Sequence, residues 1–92
     1  MKLLYCLRCH DAIMLIPNEI RSCKCGRSSG RYVDDINAEI SGDDAVCIGF
    51  SNPSFWDALC NQPQSGLGSE FTAFVIPKEC GTVKKVNTIR LR

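Results

Sequence analysis

Residues 6–26, CLRCHDAIMLIPNEIRSCKCG, carry two closely spaced pairs of cysteines. Cys6 and Cys9 form a C-x-x-C motif, 13 residues follow, and Cys23 and Cys25 form a C-x-C motif. This arrangement is typical of structural zinc sites, in which four thiolates surround the ion and leave no position open for water or substrate. The sequence therefore predicts one structural zinc ion bound by these four cysteines.

The segment between the two cysteine pairs predicts a hairpin. Residues 12–16 form an apolar run, Pro17, Asn18 and Glu19 have turn composition, and residues 20–23 return. Such a hairpin brings its two ends together, and with them both cysteine pairs. We therefore expect a zinc-ribbon module over residues 1–30.

The remaining residues, 31–92, predict an antiparallel β body. Apolar and polar residues alternate over 31–41, and residues 45–50, AVCIGF, form an apolar run that suits a central strand. Residues 70–76 and 83–91 read as two further strands that pair as a hairpin. The expected fold class is α+β and mostly β, with the zinc ribbon continuous with a small antiparallel sheet.

One short helix is predicted on this sheet, over about residues 53–61. It ends where Pro63 and a loop rich in glycine and serine follow. The signals for its start are a capping residue, a proline in the first turn and the spacing of a capping box. They are Ser51 or Asn52, Pro53, and Ser54 with Asp57.

Length and composition are those of one small globular protein. The chain has 92 residues, of which 45% are hydrophobic and 23% charged. No signal peptide is recognisable, and the longest apolar run is far too short to cross a bilayer. Seven cysteines without an export signal are expected to be reduced thiols rather than disulfides. We therefore expect a cytoplasmic protein that does not associate with membranes.

The charge is distributed unevenly along the chain. Residues 1–31 carry a formal charge of +4 and residues 32–92 one of −3, for a net charge of +1. A zinc ion with four thiolates adds −2, which leaves only a modest basic face. The candidate contact residues for a nucleic acid or a protein partner are Arg8, Lys24, Arg27 and Arg31, with Trp56 as a candidate interface anchor.

Two features leave alternatives open at the cysteines. C-x-C is tighter than the C-x-x-C pair of most zinc ribbons, so His10 or Cys80 can replace one sulfur ligand. Residues 6–10 also match C-x-x-C-H, the attachment motif of c-type haem. A haem protein would need export and would leave Cys23 and Cys25 without a role. Cys47, Cys60 and Cys80 are expected to be small buried or half-buried residues of the body, although the position of Cys80 at a turn before Gly81 also allows it to be exposed.

Residues 6–35 resemble short, largely uncharacterised zinc-ribbon-like proteins of bacteria and their phages. The similarity lies in C-x-x-C, in C-K-C-G and in the small-residue loop that leads to GRYVD at residues 30–34. The resemblance implies zinc at Cys6, Cys9, Cys23 and Cys25, and it implies no enzymatic activity.

The sequence favours a binding function over catalysis. The chain has a single histidine and a closed thiolate set, so it offers neither an open metal position nor a nucleophile with a base. We expect a non-catalytic protein that docks on a macromolecular partner, more readily a protein than a nucleic acid. The resemblance suggests a small modulator or inhibitor of a larger complex, such as a bacterial defence system. The sequence leaves the oligomeric state open.

Overall fold

A computed structural model describes residues 1–87 and residue 89, and in this part of the chain it shows two four-stranded sheets and one helix. The first sheet has the strand order β2-β1-β6-β7 and the second the order β3-β4-β5-β8. In chain order the elements are β1 (Lys2–Cys6), β2 (Ala12–Met14), β3 (Arg21–Ser22), β4 (Ser29–Tyr32), β5 (Ala38–Ser41), β6 (Ala45–Phe50), α1 (Asn52–Cys60), β7 (Ala73–Val75) and β8 (Val83–Lys85).

The expected fold class is confirmed, because the chain is mostly β with one short helix and a four-cysteine cluster near its N-terminus. All strand pairs are antiparallel except β5 with β8, which run parallel. The chain passes through β6, α1 and β7 between β5 and β8. This long connection provides the crossover that two parallel strands require. The second sheet is therefore mixed rather than purely antiparallel.

The predicted hairpin between residues 12–16 and 20–23 is wrong. β2 pairs with β1, with Ile13 opposite Leu4, and β3 pairs with β4. No strand pairing joins the two segments, which are linked by an isolated bridge between Ile16 and Glu19 in the turn and by the Arg21 Nη1, which donates to the Met14 carbonyl at 3.0 Å. β1 and β2 instead flank the turn with Cys6 and Cys9, and β3 and β4 flank the turn with Cys23 and Cys25. The two cysteine pairs therefore belong to different sheets.

β6 occupies the central position that its apolar run predicts, between β1 and β7. Its alternate residues Ala45, Cys47 and Gly49 are buried. β1 pairs with β6 over five residues, from Lys2 opposite Gly49 to Cys6 opposite Ala45. Cys6, the first predicted ligand, therefore lies at the end of the longest strand pairing among the described residues.

Two other strand predictions are corrected. Residues 31–41 form not one strand but β4 and β5, joined by a turn in which the Asp34 Oδ1 accepts the backbone N–H groups of Ile36 and Asn37, at 2.9 and 2.8 Å. Residues 70–76 and 83–91 do not form a hairpin, because β7 pairs with β6 and β8 with β5. Four residues within or just beyond the last predicted strand lie outside the described residues: Thr88, Arg90, Leu91 and Arg92.

One hydrophobic core joins the predicted zinc-ribbon segment to the predicted body. Leu4 and Leu15 from residues 1–30 pack with residues from 31–92. The predicted boundary at residue 30 falls within β4. The other buried members of the core are Ala38, Ile40, Ala45, Cys47, Ile76 and Val83.

The helix lies on the outside of this core. It begins after Ser51 and has Pro53 in its first turn, but the Ser51 side chain forms no capping hydrogen bond. The predicted capping box does not form, since the Ser54 hydroxyl accepts the backbone N–H of Thr72 at 2.6 Å. No residue of α1 is buried. An aromatic cluster anchors it, with the Phe55 ring centroid 5.5 Å from that of Phe50 and 4.8 Å from that of Phe71.

Within the described residues, no helix is long and apolar enough to span a membrane.

Gly42 is a tight contact between the turn before β6 and the loop before β4. It has φ +119°, and a Cβ there would collide with the backbone carbonyl of Arg27 and lie 3.1 Å from the Ser28 Cα. These are backbone atoms, which cannot move away from a new Cβ as the end of a flexible side chain can. We expect Gly42→Ala to lower the free energy of unfolding by about 2 to 4 kcal/mol.

Urea unfolding of the metal-loaded protein measures this effect. Gly68→Ala is the matched control, because a Cβ at Gly68 meets nothing within 4 Å. Equal unfolding midpoints for the two variants would contradict the close approach at Gly42.

Candidate metal centre

The four predicted ligands converge at one point. The sulfurs of Cys6, Cys9, Cys23 and Cys25 all lie within 4.8 Å of one another. The Cys25 Sγ is 3.8 Å from the Cys6 Sγ and 3.4 Å from the Cys23 Sγ. A tetrahedral zinc site with Zn–S bonds of about 2.3 Å requires sulfur separations of roughly 3.8 Å. The four cysteines therefore fit one tetrahedral metal ion.

The first cysteine pair lies in a tight turn between β1 and β2. The backbone N–H of Cys6 donates to the Asp11 carbonyl at 3.0 Å, and the N–H of His10 donates to the Cys6 carbonyl at 2.8 Å. His10 has φ 60°. This left-handed residue turns the chain directly after Cys9, so that both sulfurs point to the same side of the turn.

The second cysteine pair lies in a similar turn between β3 and β4. The N–H of Cys23 donates to the Ser28 carbonyl at 2.9 Å, and the N–H of Gly26 donates to the Cys23 carbonyl at 2.9 Å. Gly26 has φ 75° and directly follows Cys25. In both turns the first cysteine bonds to the carbonyl five residues later and a left-handed residue follows the second cysteine. C-x-C therefore closes a turn like that of C-x-x-C.

Asp11 connects the two cysteine turns. Its backbone carbonyl closes the first turn, and its Oδ2 accepts the backbone N–H of Lys24 in the second turn at 3.0 Å. The first turn is also attached to the body, since the N–H of Leu7 donates to the Asp44 carbonyl at 2.9 Å. The relative position of the two cysteine pairs is thus held by protein groups as well as by a bound ion.

The thiols of this centre do not ionise independently. Burial raises the pKa of Cys23, but the Ser28 backbone N–H, 3.4 Å from its sulfur, and the neighbouring thiols lower that pKa to about 6. The Arg27 backbone lowers the pKa of Cys25, but burial and the adjacent sulfurs raise it to about 11. One thiolate forms readily and the next is opposed by it, so a cation is needed for four thiolates to coexist.

Ser28 lies behind the metal ligands. Its side chain is fully buried, and its hydroxyl has no hydrogen-bond partner among the described residues. It lies beside Cys6 and lowers the pKa of the Cys6 thiol more than any other group does. The Cys9 backbone has the next largest effect in the same direction. A buried hydroxyl beside a sulfur ligand suits the outer shell of a metal site, since it can donate to the thiolate.

The alternative ligands lie outside this group. His10 is exposed and its Nδ1 is 3.0 Å from the Tyr5 hydroxyl. Cys80 packs against the hydrophobic core, with its sulfur 3.5 Å from the Thr82 hydroxyl. Since four cysteines already complete a tetrahedron, neither residue is required as a replacement. The sulfurs of Cys6 and Cys9 lie in one cluster with those of Cys23 and Cys25. This arrangement is unlike a haem attachment motif, which would use only the first two cysteines.

The three cysteines outside the centre have different environments, and all seven are free thiols. Cys47 is buried, as predicted, and Cys80 is partly buried. Cys60 is exposed, so the prediction that it is buried or half-buried is wrong. It lies at the end of a helix that contributes no buried side chain, which explains the difference.

The predicted contact residues divide into exposed and buried ones. Arg8, Lys24 and Arg27 are exposed on the two cysteine turns, and Trp56 is 66% exposed on α1. Arg31 is only 7% exposed, and its Nη2 lies 3.2 Å from the Glu39 Oε1 on the neighbouring strand. As a correction to the predicted basic face, Arg31 is a buried ion-pair partner between β4 and β5 and is not available to an external ligand.

Sequence reasoning missed Asp11 and Ser28 as residues of the centre. Asp11 is an acidic residue two positions after the C-x-x-C pair, in the turn composition CLRCHD. Ser28 lies in the small-residue loop that the sequence suggested as a boundary between two segments. Both act through contacts across the two turns, so the only signal in the sequence was their position close to a cysteine.

Loss of a sulfur ligand is expected to unfold the region around the centre. Cys23→Ser should bind zinc at least tenfold more weakly and lower the melting temperature markedly, because metal binding contributes to the free energy of folding. Cys60→Ser, an exposed cysteine outside the group, should leave both properties unchanged. Native mass spectrometry and thermal unfolding measure the two effects. Full zinc content and an unchanged melting temperature in Cys23→Ser would contradict the structural role.

Removal of the Asp11 carboxylate should weaken the centre without removing a ligand. Asp11→Ala leaves the Lys24 N–H without its acceptor, which should cost about 1 to 3 kcal/mol. Outer-shell changes typically weaken metal binding by about 10- to 100-fold. Competition with a chromogenic chelator measures this affinity. Asp35→Ala, an exposed acidic control, should retain the original affinity, and equal losses in both variants would argue against the bridging role.

The comparisons with known proteins add no relative to this description. No family model, no curated protein and no solved structure matches the chain.

Proposed function

We propose that this protein is a non-catalytic binding module whose fold is stabilised by one zinc ion. The convergence of four cysteine sulfurs within 4.8 Å carries this proposal. Four thiolates complete a tetrahedron, so the ion would have no free position for a substrate or an activated water. Such a site contributes to folding rather than to chemistry.

The residues around the centre support a structural role over a catalytic one. Metal-assisted hydrolysis requires an open coordination position, and acid–base chemistry requires a positioned proton acceptor. The single histidine, His10, lies on the exposed side of its turn beside Tyr5. No other histidine, cysteine, aspartate or glutamate joins the four cysteines in a metal-binding group within the described residues.

Zinc is the metal that we propose for this site. Tetrahedral sites with four sulfur ligands are occupied by zinc or by iron. Zinc has no redox chemistry, which suits a site whose function is to hold two turns together. Native mass spectrometry of the freshly purified protein identifies the bound metal by its mass.

A surface groove beside α1 provides a candidate docking site. We call it the Trp56 groove, and its volume is about 670 Å³. Trp56 is 66% exposed and Leu59 is 53% exposed, so the groove presents large apolar side chains to solvent. Exposed aromatic residues in such a position are typical anchors of protein interfaces. The other lining residues are Met1, Leu15, Pro17, Tyr32, Asp34, Asp35, Asn52 and Phe55.

The charge of the Trp56 groove favours a protein partner over a nucleic acid. Asp34 and Asp35 line it, and the pKa of Asp34 is lowered by the Asn37 side chain and by the backbone N–H groups of Ile36 and Asn37. An ionised carboxylate repels phosphate. By the resemblance of residues 6–35, we propose a bacterial or phage setting, in which the partner belongs to a larger complex such as a defence system.

A nucleic acid remains the second candidate partner because Arg8, Lys24 and Arg27 are exposed around the cysteine centre. The formal charge of −2 on a zinc ion with four thiolates offsets most of this basic character. Arg31 is engaged with Glu39 and adds nothing to it. The basic surface is therefore a weaker argument than the apolar groove.

Replacement of Trp56 is expected to weaken partner binding without unfolding the protein. Affinity capture from a bacterial lysate with zinc-loaded protein should recover a stoichiometric protein partner, and Trp56→Ala should lose roughly 2 kcal/mol of binding, or about 30-fold in Kd. Leu67→Ala is the control, since Leu67 is 94% exposed and lies outside the groove.

The melting temperature of both variants should equal that of the unaltered protein, because neither side chain is buried. Capture that is unchanged by Trp56→Ala would contradict the proposed docking site. Failure of folded, zinc-loaded protein to recover any stoichiometric partner would contradict the binding function itself.

A further inference from the structure

β7 is an open edge of the first sheet. It pairs with β6 on one side, and no strand of the described residues pairs with its other side. All three of its residues, Ala73, Phe74 and Val75, are exposed, with Phe74 at 51% and Val75 at 68%. An exposed apolar edge of this kind is a template for pairing with another strand.

The hydrogen bonds to β6 show which backbone groups of β7 face outward. The N–H of Ile76 donates to the Cys47 carbonyl at 2.9 Å, and the Thr72 carbonyl accepts the N–H of Ser51 at 2.9 Å. Bonded and non-bonded pairs alternate along an antiparallel ladder. Phe74 therefore bonds inward to β6, whereas the N–H and C=O groups of Ala73 and Val75 point away from the sheet.

We propose that a second copy of this chain covers this edge by antiparallel pairing of β7 with β7, about a two-fold axis at Phe74. In this register Ala73 lies opposite Val75 of the second copy, and the outward backbone groups of both residues are satisfied. Phe74 lies opposite Phe74 of the second copy as a non-hydrogen-bonded pair, in which side chains approach most closely. The same edge is used on both copies, so the assembly closes as a dimer.

The charges that flank β7 select this register. Glu70 and Lys78 lie outside β7, four residues before and four residues after Phe74. An axis at Phe74 therefore brings Glu70 of each copy to the same end of the interface as Lys78 of the other, where their long side chains can form two equivalent ion pairs. Both residues are exposed, and neither forms an ion pair within residues 1–87. Moving the axis to Ala73 would place Glu70 opposite Ile76, and moving it to Val75 would place Lys78 opposite Thr72. A two-fold axis between two neighbouring residues would place outward backbone groups of one copy opposite inward groups of the other, so the hydrogen bonds could not form.

The end of the strand also suits a limited interface. Pro77 lies two residues after the end of β7 and has no backbone N–H, so backbone pairing cannot continue through it on that side. The contact is therefore short and rests on the backbone bonds of Ala73 and Val75, on the Phe74 pair and on the two ion pairs. Such an interface predicts a dimer that dissociates on dilution.

Sedimentation velocity of the zinc-loaded protein, from low micromolar to millimolar concentration, tests the proposal. We expect a monomer–dimer equilibrium. Glu70→Lys replaces both ion pairs by pairs of lysines and should weaken dimerisation about tenfold. The double variant Glu70→Lys with Lys78→Glu restores opposite charges and should recover the original dissociation constant. Glu79→Lys is the control of equal charge change, because Glu79 faces Ser69 in this register.

Ala73→Pro provides a second test, because it removes an outward N–H that the β6 ladder does not use. It should abolish the dimer and leave the melting temperature of the monomer nearly unchanged. Wild-type protein that stays monomeric at all concentrations would overturn the proposal. An effect of Glu70→Lys no larger than that of Glu79→Lys, or a double variant that does not recover, would also overturn it.

Discussion

The four cysteine sulfurs are the constraint on which the rest of this structure depends. They lie within 4.8 Å of one another, and four thiolates at that distance repel each other unless a cation lies between them. Cys6 and Cys9 belong to the turn between β1 and β2, in the first sheet, whereas Cys23 and Cys25 belong to the turn between β3 and β4, in the second. A metal ion at this point therefore joins the two sheets.

The hydrophobic core also connects the two sheets, and it is small. Leu4 in the first sheet and Ile40 in the second are among its buried members, while the helix contributes none. Zinc binding in small modules supplies an apparent 10 to 16 kcal/mol or so at neutral pH, whereas ordinary domains have total stabilities of about 5 to 15 kcal/mol. A zinc ion bound at this centre would therefore supply a large share of the stability of a protein with this core.

Sequence reasoning succeeded where the signal was local. The spacing of the cysteines predicted the four residues that converge, and the apolar run AVCIGF predicted the central β6. Pro53 near the start and Pro63 beyond the end predicted α1 to within one residue. It failed in the choice of strand partners. β2 pairs with β1 rather than with β3, and β7 pairs with β6 rather than with β8, because a strand's own pattern does not specify its neighbour.

The sequence by itself determined the chemistry of the centre, since thiolates at this spacing select a tetrahedral metal whatever sheet they belong to. Only the tertiary structure decided the role of the residues around it. It buried Arg31 against Glu39, set the Asp11 carboxylate on the Lys24 N–H, and left the outward edge of β7 without a paired strand among residues 1–87. These outcomes depend on which distant segments share backbone hydrogen bonds and a common core, and no local pattern of residues contains that information.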